Sequence, residues 1–116
     1  PEVKFGDIVS RTPAESSASI RARVTAARER QSARFAGRCF FSNSRMGPKE
    51  VKEFCRLPPD AEKLLEMAVT KLGFSARAFD RVLKVARTIA DLEGKDGIET
   101  PHVSEAIQYR MMDRLR

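Results

Sequence analysis

Two cysteines and one histidine are all the thiol and imidazole ligands that 116 residues offer a metal. Cys39, Cys55 and His102 lie far apart, and none of the usual Cys/His spacings of a zinc site occurs. Nothing local marks either thiol as activated, so buried free cysteines are expected rather than a catalytic Cys–His pair. No apolar run exceeds three residues, which excludes a membrane-spanning helix. The first ten residues lack the apolar core of a signal peptide, so the cytoplasm is the default expectation. The six glycines, at positions 6, 37, 47, 73, 94 and 97, nowhere build the G-x-x-x-x-G-K-[ST] loop that cradles phosphates. There is no internal repeat and no low-complexity tract.

What is present is an ordinary globular composition, 41% hydrophobic and 33% charged. The length allows one domain with one modest core, burying about two thirds of the unfolded surface. The net charge of +6 is unevenly placed. Residues 1–58 hold 12 basic and 6 acidic side chains, whereas residues 59–116 hold 10 of each. The surplus therefore lies in the first half. Such clustering suits a nucleic acid or an acidic protein surface.

Periodicity predicts a small all-α bundle of four to five helices behind an extended N-terminal arm, with residues 1–14 as the arm and 15–116 as the helical domain. Val3, Phe5, Ile8 and Val9 are apolar but interrupted by Gly6, which reads as extended chain with one edge strand. Ser16 or Ser17 caps a first helix to about Phe35, with Ile20, Val24 and Ala27 as its buried stripe. Arg23, Arg30 and Arg34 fall together on another face, at spacings of seven and four. Cys39-Phe40-Phe41 is an apolar patch, either exposed for docking or tucked under the bundle. Gly47-Pro48 opens a short helix with Val51, Phe54 and Cys55 inward. A third helix starts near Pro59, carries Ala61, Leu64, Leu65, Ala68 and Leu72 inward, and stops at Gly73. Ser75 caps the longest helix, which reaches Gly94 and buries Phe79, Val82, Leu83, Ala86, Ile89 and Ala90. Asp80–Lys84 and Arg87–Asp91 are four apart and are expected to pair on its wet face. Thr100 caps the last helix with Pro101 at its first position, Val103, Ala106, Ile107 and Met111 inward and His102 exposed.

The junction from Gly73 to Arg81 stands out. It reads as a helix stop, a new N-cap, then Arg77 in the first helical turn. The open end of a helix carries partial positive charge, so a cation there is unfavourable by roughly 0.3–1 kcal/mol. Acidic residues are the usual choice. Arg77 in that place points to an anion that the chain itself does not supply.

The stretch from Glu15 to Arg114 resembles the C-terminal part of the magnesium-chelatase-like AAA+ ATPases of the competence-protein ComM group. Residues 74–92, from Phe74-Ser75-Ala76-Arg77 to Ile89-Ala90-Asp91-Leu92, look like that group's sensor-2 helix. Glu15-Ser16-Ser17 through Val24 looks like its opening lid helix, Asn43-Ser44-Arg45-Met46 like its Asn-x-x-Met connector, and Glu105 to Arg110 like its terminal helix. The resemblance covers nearly the whole chain. Phe79 and Ser44 depart from the group's common Tyr and Ala.

The resemblance implies a helical lid. The nucleotide-binding core, which would hold ATP and Mg2+, would precede this piece, and the piece alone is not expected to hydrolyse ATP. Arg77 would take the sensor-2 place, on the terminal phosphate of ATP held by the core. A guanidinium offers phosphate oxygens a planar fork of donors and stabilises charge developing in phosphoryl transfer. Arg81, one turn on, is a secondary candidate, with a pairing to Asp80, Asp91 or a neighbouring helix as the plainer expectation. Implied partners are the AAA+ core of the same chain and, in a homo-oligomeric ring, the next subunit, with DNA as the substrate moved in branch migration or recombination. Arg23, Arg30 and Arg34 are candidates for the DNA or subunit contact, against a simply solvated face. Metal insertion into a porphyrin is the sister function. The competing reading is a stand-alone basic helical module that binds nucleic acid without ATP.

Overall fold

The computed structural model describes residues 15–114. The expected N-terminal arm and its edge strand lie outside them. Every regular element among the described residues is helical: α1 Ser17–Arg34, a 3-10 turn Asn43–Arg45, α2 Pro48–Phe54, α3 Pro59–Leu72, α4 Ala76–Leu92 and α5 Thr100–Arg114. The all-α expectation is met.

The helix ends follow local chemistry. Ser16 Oγ accepts the Ser19 N–H at 3.0 Å, and Ser75 Oγ accepts the Ala78 N–H at 3.1 Å. Pro48 and Pro59 open their helices, where a missing N–H costs nothing. Glu50 reaches back to the Gly47 N–H at 2.9 Å and fixes the start of α2. Gly73 closes α3 in the left-handed region at φ 68°, a conformation that needs glycine. This sharp stop lets Phe74 turn inward and α4 begin two residues later.

α4 is the central element, packed against α1, α2, α5 and the 3-10 turn, while α3 rests on α5. Its stripe of Val82, Leu83, Ala86, Ile89 and Ala90 is buried against Leu65, Val103 and Ala106. Each fully buried Val, Leu or Ile contributes about 1.5–3 kcal/mol. Phe35, just past α1, is fully buried and meets Phe40 at 4.8 Å and Phe54 edge-on at 5.5 Å. The Cys39-Phe40-Phe41 patch thus divides: Phe40 tucks in, whereas Cys39 and Phe41 are exposed.

Three further expectations are corrected. The stripe predicted for α1 is buried only at Ala27, and Ile20 remains 43% exposed. Periodicity marks an apolar face but not whether a neighbour covers it. His102 is buried, not exposed. Its Nδ1 accepts the Glu99 N–H at 2.9 Å and its Nε2 meets Glu93 at 2.9 Å. The ring therefore closes the start of α5 onto the end of α4. Finally, Glu99 rather than Thr100 stands at the cap position, since its carbonyl accepts the first helical N–H groups.

Candidate functional site

Arg77 is the second residue of α4 and is exposed. Among the described residues its guanidinium has no hydrogen bond and no ion pair. The first turn of α4 contains no acidic residue. A lone cation thus stands at the positive end of a helix dipole with nothing among the described residues to offset it. Its backbone is nonetheless firmly placed. Phe74 and Ala78 are buried on either side, and Ser75 locks the first turn. The Arg77 side chain is free to turn outward from a fixed base.

Arg81 is likewise exposed, one turn later. It makes none of the predicted pairings among the described residues. Asp91 is occupied elsewhere, and Asp80 stands by a separate cleft between α2, α3 and α4. Lys84 turns to the Ser44 carbonyl at 3.4 Å rather than to Asp80. Arg77, Arg81 and Lys84, spaced four and three apart, share one outer face of α4.

The three arginines of α1 do not form one free face. Arg23 is half exposed and pairs with Glu15. Arg30 bonds Asp96 at 3.0 Å and the Gly94 carbonyl at 2.9 Å. Arg34 is only 11% exposed and grips Asp91 with both terminal nitrogens, at 2.7 and 2.9 Å. The spacing put them on one stripe, but the far end of that stripe faces α4 and the loop after it.

Around Asp91 lies a buried polar network that the sequence reading missed. Asn43 is buried, accepts from Arg34 at 2.8 Å, and donates to Asp91 at 2.9 Å and Thr88 at 3.0 Å. Gln31 accepts the Asn43 backbone N–H at 2.9 Å. Arg87 lies 3.2 Å from Asp91 and donates to the Lys95 and Asp96 carbonyls at 3.0 Å each. The Arg87–Asp91 pair is therefore interior, not on a wet face as periodicity alone suggested. Burial pulls the Arg87 pKa below its ordinary value, while the Asp91 carboxylate opposes the shift. The Asn-x-x-Met connector gains a physical role here. Asn43 ties α1 to α4, and Met46 enters the core. That motif was the one signal in the sequence that pointed to this junction.

The two thiols differ in their surroundings. Cys39 is exposed, against the expectation of burial, and Cys55 is buried. Burial pushes the Cys55 pKa up to about 11, which keeps it a neutral thiol. Among the described residues no three His, Cys, Asp or Glu side chains gather as metal ligands.

The fold is an all-helical bundle whose central helix presents one uncompensated arginine at its open end. Residues 14–110 match the family described as the magnesium chelatase subunit ChlI C-terminal domain, and the chain belongs to that family. It is 44% identical over 110 residues to the uncharacterized protein YifB of Escherichia coli strain K12, a match covering 93% of this chain and 21% of that protein. It is 46% identical over 101 residues to the competence protein ComM of Haemophilus influenzae, covering 87% of this chain and 19% of ComM. The chain thus spans about a fifth of the length of the curated relatives it matches. The resemblance read from residues 15–114 is borne out at the level of the family.

Proposed function

We propose that this chain is the helical lid of a magnesium-chelatase-like AAA+ ATPase and that Arg77 is its sensor-2 arginine. The observation that carries the reading is the state of Arg77: exposed, unpaired among the described residues, and fixed at the start of the central helix. ATP bound by a core would bring the missing anion to it. The guanidinium then binds terminal phosphate oxygens and stabilises the charge that develops there. The residues present fit that role. In this reading Mg2+ would be held by the core with the nucleotide. Because α4 packs against α1, α2, α5 and the 3-10 turn, a pull on Arg77 would be carried to the whole bundle. Nucleotide state would thereby bias the angle between lid and core.

The work done by the parent motor is read as movement of DNA, in branch migration or recombination. This extension leans on the relative named a competence protein and on the basic surplus of the first half of the chain.

The test uses an intact parent protein. Arg77→Ala should lower ATP turnover at least about tenfold, the scale of one lost charge-stabilising donor, with the fold unchanged by circular dichroism. Turnover equal to that of the wild type would remove the residue on which the reading stands.

A further inference from the structure

Beyond Arg77, the outer face of α4 has a second feature that does not depend on the nucleotide reading. A groove of about 390 Å³ runs between α4 and α5, with Val82 and Ala106 at its floor and Val85 beside them. Tyr109 and Met112 stand out of it, 54% and 60% exposed. Val85 and Tyr109 also line the adjoining groove toward α1, so the apolar ledge is continuous.

The charge beside this ledge is mixed. Arg81 and Lys84 rise from α4 and Arg110 from α5, while Glu105 and Asp113 stand on α5 and Glu93, just past α4, is held by His102. Arg81 has no partner among the described residues. Lys84 has only the weak contact to the Ser44 carbonyl. Arg110 reaches Asp113 only at 4.0 Å, and its Nε is buried without a hydrogen bond. Cations beside an apolar ledge, poorly matched by their own chain, call for an anionic partner with an apolar side.

We propose that the α4–α5 face is a docking surface for an acidic amphipathic helix of a partner protein. Its carboxylates would lie along Arg81 and Lys84, and its aliphatic side chains over Val85, Tyr109 and Met112. Helix-in-groove recognition uses this division between apolar anchors and a charged flank. Methionine adds an adaptable contact. A nucleic acid is the poorer fit, because the ledge is aliphatic apart from Tyr109 and base stacking needs successive aromatic platforms.

The test is fluorescence anisotropy with the 116-residue chain and a labelled helical peptide of about four turns, leucine on one face and glutamate on the other. Saturable binding is expected. Replacing the glutamates by lysines should weaken it at least about tenfold, about 1.4 kcal/mol. The double variant Arg81→Glu/Lys84→Glu and the single variant Tyr109→Ala should each weaken binding of the acidic peptide by a similar factor. Lys71→Glu, on the exposed side of α3, should leave it unchanged. Equal binding of both peptides, or indifference to the Arg81/Lys84 and Tyr109 variants, would overturn the proposal. So would tighter binding of an oligothymidylate that is lost in the same variants.

Discussion

Asp91 illustrates how far one residue's role depends on neighbours distant in sequence. From its position four residues after Arg87, an exposed helical pair was the natural expectation. Folding instead brings Arg34, Arg87 and Asn43 onto its carboxylate, with Arg34 entering from 57 positions away. Removing that carboxylate strands two buried guanidinium groups. Asp91→Ala should therefore destabilise the chain by about 3–5 kcal/mol in urea unfolding. Arg30→Ala should cost less than about 1 kcal/mol, because Asp96 is almost fully exposed. Cys55 makes a second prediction at this scale. Its pKa is raised from 9.0 to about 11 in the folded state. Between those values the unfolded chain sheds the proton while the folded chain keeps it. Stability present below pH 9 is thus lost as pH rises toward 11, and Cys55→Ala should remove that part of the slope. At pH 8, iodoacetamide should label Cys39 in the native chain and reach Cys55 only on unfolding.

At the scale of elements, the local signals were the legible ones. Ser16, Ser75, Pro48, Pro59 and Gly73 set helix ends through contacts within four residues, and the structure places those ends where the sequence did. Gly73→Ala tests this directly. An added methyl group would meet no atom within 4 Å, so only the backbone at φ 68° is strained. A loss of about 1–2 kcal/mol is expected in thermal or urea unfolding, with the fold intact. What was not legible depended on which faces meet. Ile20 and Val24 obey the helical period, yet α1 is covered only near its C-terminal end. His102 looks like a first-turn surface residue until the end of α4 is set against it. Its role as acceptor for the Glu99 N–H then becomes visible. Arg77 stands out for a different reason: it breaks a local rule, and nothing among the described residues offsets its charge. Arg34 breaks none, and its burial could not be read from its neighbours in sequence.

For the whole molecule, these pieces make a bundle organised around α4. One end of that helix is tied to α1, the Asn43 connector and the loop before α5 through Asp91 and Arg87. The other end presents Arg77. In the proposed reading this body would carry a pull at one end to the other, as a lid that swings as a unit requires. The chain belongs to the magnesium chelatase ChlI C-terminal family and spans about a fifth of its curated relatives. The reaction, in that reading, belongs to a longer parent, and this lid senses the nucleotide bound there. The most direct measurement is the affinity of an intact parent for ATP and for ADP, in the wild type and in Arg77→Ala. If Arg77 grips the terminal phosphate, the substitution weakens ATP binding at least about tenfold, the scale of a charge-assisted hydrogen bond, and leaves ADP binding nearly unchanged. Equal losses for both nucleotides, or none for ATP, would contradict it.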